Sequence, residues 1–143
     1  MAQGMLRFTL AHPRPMVGAF LSDPARVGSC LAFVQETGSG PTGARWRVKS
    51  PMSTVTQTTH FELVFQATGD EVRWHGRGAH LETRGHLVLT DGEPDTTVVD
   101  FALEMVGQGI VGAIIEPLAA AQIGNQMAYF ADQLQERLGR ETP

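Results

Sequence analysis

A chain of 143 residues has the usual size of one domain, long enough to bury about two-thirds of the surface its unfolded form exposes. Its 42% hydrophobic and 18% charged residues exclude a disordered or fibrous chain, and a net charge of -4 without clustered Lys and Arg argues against a nucleic-acid partner. Cys30 is the single cysteine, so an internal disulfide is excluded; this fits a reducing, cytoplasmic setting, and the residue reads as a small buried hydrophobe.

The first eight residues lack a charged start followed by an apolar run, so no signal peptide is expected. Leu6, Phe8 and Leu10 alternate with Arg7 and Thr9, the period of a strand with one wet face, and we place it at the outside of a sheet. His12-Pro13-Arg14-Pro15 ends that strand. Met16 to Leu21 carries apolar residues at helical spacing until Ser22-Asp23-Pro24 stops it. Asp23 before Pro24 then reads as the N-cap of a second short helix running to about Leu31.

From about residue 32 to 106 the pattern is strand after strand, punctuated by turns at Gly38-Ser39-Gly40-Pro41, Gly69-Asp70 and Asp91-Gly92-Glu93-Pro94. Trp46 and Val48 alternate with Arg45, Arg47 and Lys49, and Phe61, Leu63 and Phe65 with His60, Glu62 and Gln66. Val99, Phe101, Leu103 and Met105 alternate with Asp100 and Glu104. This predicts an antiparallel meander covered on one face only. The inward set of the segment from Val72 continues through Trp74, Gly76 and Gly78. Two missing side chains there predict a bend or an open space beneath the sheet.

After Gly107-Gln108-Gly109 the period becomes helical: Ile115, Ala119, Ile123, Met127, Phe130, Leu134 and Leu138 form one stripe, predicting a closing helix of roughly seven turns. Pro117 is expected to kink it or to mark the start of its regular part, and Gly139 to stop it. Gln122, Gln126, Asp132, Gln133 and Glu136 fall on the wet face. The apolar stretch from Ile110 to Ala121 is interrupted by Glu116 and Pro117 and falls short of the roughly 20 residues that span a bilayer, so no transmembrane segment is expected.

This order of strand, two short helices, six-strand meander and long helix resembles the helix-grip fold of the START and birch-pollen-allergen (SRPBCC) superfamily. More narrowly it is similar to the branch that holds the polyketide cyclase/dehydratase-like proteins and those like the G-type subunit of carbon monoxide dehydrogenase. The residues that carry the likeness are His12 to Pro15 with Leu21 to Pro24, Thr97 to Phe101, Gly109 to Leu118, and Leu134 to Leu138. The resemblance covers nearly the whole chain and implies an α+β, START-like domain over residues 1–143, with about seven strands curved around the C-terminal helix. It further implies a cavity between sheet and helix for a hydrophobic small molecule: a lipid, a quinone or a polyketide. Catalysis belongs to only some members, and no active-site signature of the family is present here.

The residues expected to wall such a pocket are Trp46, Phe61, Phe65, Trp74, Phe101 and Leu103 from the sheet, with Ile115, Leu118, Ile123 and Met127 from the helix. Met127 and Met52, being unbranched, suit guests of different shape. Arg45, Arg47, Arg73, Arg77 and Arg84 all have outward parity, which disfavours an anionic guest and favours a neutral or weakly polar one. Polar candidates are few. A hairpin centred near residues 80 and 81 would set His75 opposite His86 on the outer face, a weak metal-ligand pattern with no third ligand, so no metal is assigned. His80 has inward parity and is the one candidate general base, and Tyr129 beside the helical stripe is a candidate polar anchor. No cofactor motif appears, since the glycines at 38 to 43 precede a strand rather than a helix. The residues thus favour a non-enzymatic carrier or sensor over a cyclase or dehydratase acting through His80. An accessory role beside a partner enzyme, and a homodimer, stay open.

Overall fold

The computed structural model describes residues 2–40, 43–49 and 58–141; the expectations for Pro41 and Met52 lie outside them. Strand β1 (Ala2–Leu10) buries Ala2 and Leu10 and turns Gln3, Met5, Arg7 and Thr9 to solvent. Helix α1 (Arg14–Leu21) begins after Pro13, and its last turn closes where the Ser22 N–H donates to the Gly18 carbonyl at 3.0 Å. Asp23 caps α2 (Pro24–Ser29), its Oδ1 accepting from the Ala25 N–H at 2.9 Å. That helix ends two residues earlier than expected, with Cys30 as its C-cap.

Six strands follow: β2 (Val34–Gly38), β3 (Ala44–Lys49), β4 (Thr58–Thr68), β5 (Glu71–Arg77), β6 (Leu81–Asp91) and β7 (Thr97–Gly107). With β1 they form one curled, seven-stranded antiparallel sheet in the order β1-β7-β6-β5-β4-β3-β2, so β1 and β2 are its two edges. Alternation decides its faces: β5 and β7 bury every second residue, as the period-two pattern requires of a sheet covered on one side. Register departs from expectation in the β5–β6 hairpin. His75 stands opposite Arg84, and His86 opposite Arg73. The strands pair two residues away from the anticipated register.

The chain closes with α3 (Gly109–Glu141), 33 residues or about nine turns, which lies across β1 and β7 on the inner face. Ile115, Ile123, Met127, Phe130, Leu134 and Leu138 are buried along it, and Ala119 is half-buried. Pro117 sits inside the helix. It and Ala113, whose carbonyl loses its usual donor, are both exposed, on the solvent side of the helix. Gly139 does not stop the helix, because the buried Leu138 and the Arg140–Glu136 ion pair hold the last turn in register.

Both ends of α3 are fastened. At its start Gly109 takes a φ of 68°, open to glycine at little cost. The Gly107 N–H donates to Glu116 Oε2 at 2.8 Å, and the Gln108 N–H to the His80 carbonyl at 2.8 Å. Backbones meet so closely here that a Cβ on Gly112 would come within 2.6 Å of the His80 carbonyl oxygen. At the far end Arg137 donates to the Ser29 hydroxyl at 2.8 Å and to the Ser29 carbonyl at 3.1 Å, tying the helix to α2.

Candidate functional site

The space between sheet and α3 divides into a filled half and a hollow half. In the filled half Trp46 meets Trp74 edge-on at 5.6 Å between ring centroids, Trp74 meets Phe101 at 6.1 Å, and Phe101 meets Phe130 at 4.8 Å. Such tilted arrangements are the favoured ones for aromatic pairs. Phe65, half-buried, stacks on Trp74 at 6.5 Å. Trp46 is fully buried and its indole N–H donates to the Pro24 carbonyl at 3.1 Å, which anchors α2 to β3. The Trp74 indole lies against Gly85, the one residue type that leaves room for it. Met127 packs over Gly4 of β1 in the same way.

This packing corrects two expectations. Trp46, Phe65, Trp74, Phe101 and Met127, anticipated as cavity walls, form a solid aromatic core instead. The space beneath Gly76 and Gly78 is not open either. A Cβ on Gly76 would meet Thr83 at 3.0 Å and Phe61 at 3.2 Å, and one on Gly78 would meet the Phe61 ring at 2.7 Å. Phe61, one strand away on β4, fills the place those glycines vacate.

The hollow half lies under the N-terminal part of α3, where a cavity of about 150 Å³ opens. Its sheet side is made by Val48, Phe61, Leu81, Leu103 and Met105. Ala32 and Phe33, from the link between α2 and β2, close one flank. From α3 come Ala119, Gln122, Ile123 and Gln126, at the helical spacings of three and four that put them on one face. Of the expected wall residues, Phe61, Leu103 and Ile123 line it. Ile115 is buried outside it, and Leu118 is 39% exposed, continuing an outward ridge with Ile110 and Ile114.

Parity alone finds Val48, Leu81 and Met105, and the helical stripe finds Ala119. Phe33 and Ala32 belong to no periodic segment, so no local signal marks them. Gln126 is the polar residue that pattern reading sent to the wet face: it is half-buried, and its Oε1 is buried with no hydrogen-bond partner among the described residues. Among the described residues no charged side chain lines the cavity. Three of the outward arginines pair with carboxylates on that face, Arg45 with Glu62 at 2.5 Å, Arg73 with Glu71 at 2.5 Å and Arg77 with Glu82 at 3.7 Å.

The remaining polar candidates do not reach this space. His80 is exposed in the turn after β5, because the strand ends at Arg77 and parity cannot be counted through the turn. Tyr129 is 42% exposed. Cys30 is buried, and burial raises its thiol pKa above the ordinary 9.0, so it is held as an inert thiol.

A larger concavity, about 380 Å³, lies on the opposite face of the sheet, between two cross-strand rows. One row runs Val64, His75, Arg84, Glu104, Gln3, and the other Gln66, Arg73, His86, Ala102. Arg73 and both of its histidines pair with carboxylates from β5 and β6 that lie outside its lining. His86 Nε2 is 2.6 Å from Glu71 Oε1, and His75 Nε2 is 3.4 Å from Glu82 Oε2. Hydrogen bonds from Arg73 and His86 hold Glu71 below the usual carboxylate range, and those from Gln108 and His75 do the same for Glu82. The two histidines thus face different carboxylates, and among the described residues no group of three His, Cys, Asp or Glu is placed to hold a metal ion. We read this face as a solvated ionic ladder.

Neither a family model nor a curated protein matches the sequence. Solved structures do match its shape. A START superfamily protein from Mycobacterium smegmatis superposes with a TM-score of 0.74 at 16% identity, covering 99% of this chain and 100% of that one. A protein from Thermus thermophilus gives 0.76 at 15% identity, with 99% of both chains covered. The Zhui aromatase/cyclase from Streptomyces sp. R1128 gives 0.75 at 11% identity over 99% of this chain and 95% of that one. The chain has the START-like helix-grip fold. No helix among the described residues is long and apolar enough to cross a membrane.

Proposed function

We propose that this chain uses its START-like helix-grip fold to bind a small, neutral, hydrophobic molecule between the sheet and the first half of α3, as a cytoplasmic carrier or sensor. The observation that supports this reading is the cavity of about 150 Å³ lined by Phe33, Phe61, Leu103, Met105 and Ile123, with no charged side chain among the described residues that line it. Engineered apolar cavities of about this size stay dry and take up benzene. The guest that fits without rearrangement is therefore a single ring or a short branched chain. A larger lipid, quinone or polyketide requires Met105 and Phe33 to move, which the unbranched methionine does at low cost. Burial of the guest supplies the affinity, at about 25 cal/mol for each Å² of apolar surface removed from water.

Ala119 is the place to test this. It lines the cavity from a half-buried position on α3, so Ala119→Phe puts a ring into the hollow itself. Calorimetric titration of the wild type with single-ring and larger apolar compounds should show saturable binding that Ala119→Phe abolishes while the protein stays folded. Absence of saturable binding to every compound would defeat the reading. A catalytic role for His80 has no lining contact behind it, and His80→Ala is expected to leave binding unchanged.

A further inference from the structure

The sequence of α3 changes character at Asp132. From Asp132 to Glu141 five of ten residues are charged, whereas from Gly109 to Ala131 the only charged residue is Glu116. Glu116 is half-buried and its Oε2 accepts from the Gly107 N–H at 2.8 Å, so the solvent face of these turns stays uncharged. The first turns of that face are bulky and apolar: Ile110 is 85% exposed and Ile114 57%, with Val111 and Leu118 beside them. The next turns are small, with Ala120, Ala121, Gly124 and Ala128 all exposed and open space around Gly124. A contiguous apolar strip of this kind marks a surface that is covered in use.

Two halves of opposite shape on one helix suit a two-fold axis, because such a contact must match a patch to itself. An antiparallel pairing with α3 of a second copy lays the bulky half of each helix on the small half of the other, so that large and small side chains interdigitate. We propose that this chain forms a homodimer in this way, with the axis between Leu118 and Ala121. Ile114 of one copy then stands opposite Asn125 of the other, and Ile110 opposite Tyr129. Ile114, Leu118, Ala121 and Asn125 follow one another at spacings of four, three and four, the repeat that keeps a seam on one side of a helix. A lipid surface fits the strip less well: interfacial helices carry Lys and Arg on their polar face, and α3 has neither before Arg137. The strip is about 30 Å long and about 10 Å wide, which covers less than the roughly 800 Å² a side of a standard interface. The dimer is therefore a dissociable one, with a Kd of about 1–100 µM.

Sedimentation velocity from about 1 to about 500 µM should show the wild type passing from monomer to dimer. Ile114→Lys is expected to raise the Kd by about tenfold or more, since each dimer loses two apolar contacts and gains two charges at the seam. Adding Asn125→Glu to Ile114→Lys should then tighten the dimer by about threefold or more at low ionic strength, because the axis brings the new lysine of each copy to the new glutamate of the other. Within one chain these positions lie about 16 Å apart along the helix, too far to pair. Ile110→Lys with Tyr129→Glu repeats the comparison should Ile114→Lys fold poorly. A monomer at every concentration, a dimer indifferent to Ile114→Lys, or a double variant no tighter than Ile114→Lys overturns the proposal. A monomer that instead co-sediments with phosphatidylcholine vesicles assigns the strip to lipid and overturns it too. None of these results touches the cavity reading.

Discussion

Replacing Gly85 with alanine adds one methyl group in the middle of β6, yet its consequence is large because of what lies against that backbone. A Cβ there would fall inside the van der Waals shell of three ring carbons of Trp74, whereas nonbonded carbons rest about 3.5–4.0 Å apart. The indole would have to withdraw by more than about 1 Å, and its exits are taken by Trp46, Phe65 and Phe101 at 5.6, 6.5 and 6.1 Å. Overpacking of this kind costs about 1–3 kcal/mol, and a ring hemmed on three sides belongs near the top, about 2–3 kcal/mol. At this chain length that corresponds to a fall in Tm of about 7–10 °C.

The same substitution at Gly139 should act in the opposite direction. Gly139 sits in α3 with nothing within 4 Å of a built Cβ, so alanine gains about 0.5–1 kcal/mol from helix propensity and a less free unfolded chain. Urea and thermal unfolding of both variants, followed by far-ultraviolet circular dichroism, measure the pair. Shifts of the same sign, or a loss at Gly85→Ala below about 0.5 kcal/mol, the range of ordinary surface changes, would refute the packed-core account of Trp74.

The acid limb of stability should report the outer ionic ladder. Glu71 and Glu82 have folded pKa values below the ordinary 4.5, so their stabilisation is complete above that value and is lost as pH falls through the folded values. Urea midpoints measured from pH 6 to pH 3 should drop for the wild type and drop less for Glu71→Gln with Glu82→Gln; equal slopes would contradict this. Cys30, buried and with a raised pKa, should resist a thiol-reactive dye in the native state and react at once in denaturant. Prompt labelling of the native protein would show that the α2 end is open.

The faces of the sheet were legible because alternation is a local property: Trp46, Val48, Phe61, Leu63 and Phe101 all point inward as their spacing requires. Register was not. Sliding a strand by two residues leaves every side chain on its own face, so the pattern that predicts burial is blind to whether His75 meets Arg84 or His86. The empty positions at Gly76 and Gly78 were visible, but their occupant, Phe61, comes from another strand and no local signal names it. Gln126 shows a different limit. A helix gripped by a curled sheet is covered over a wider arc than its apolar stripe, and a polar residue at the margin of that stripe is drawn inside. Asp23, by contrast, acts within two residues of itself, and its cap was read directly from the sequence.

The pairing of β1 with β7 bears on how the molecule comes to exist. Partners across this ladder, from Ala2 with Met105 to Leu10 with Thr97, stand about ninety to a hundred positions apart along the chain. A nascent β1 therefore leaves the ribosome with no neighbour to hydrogen-bond and waits about 5–20 s, at ordinary rates of synthesis, for its partner to be made. Closing so long a loop late in assembly makes for a slow folder. The segment most exposed to capture by a chaperone, or by another nascent chain, is then the one that ends as an edge of the finished sheet.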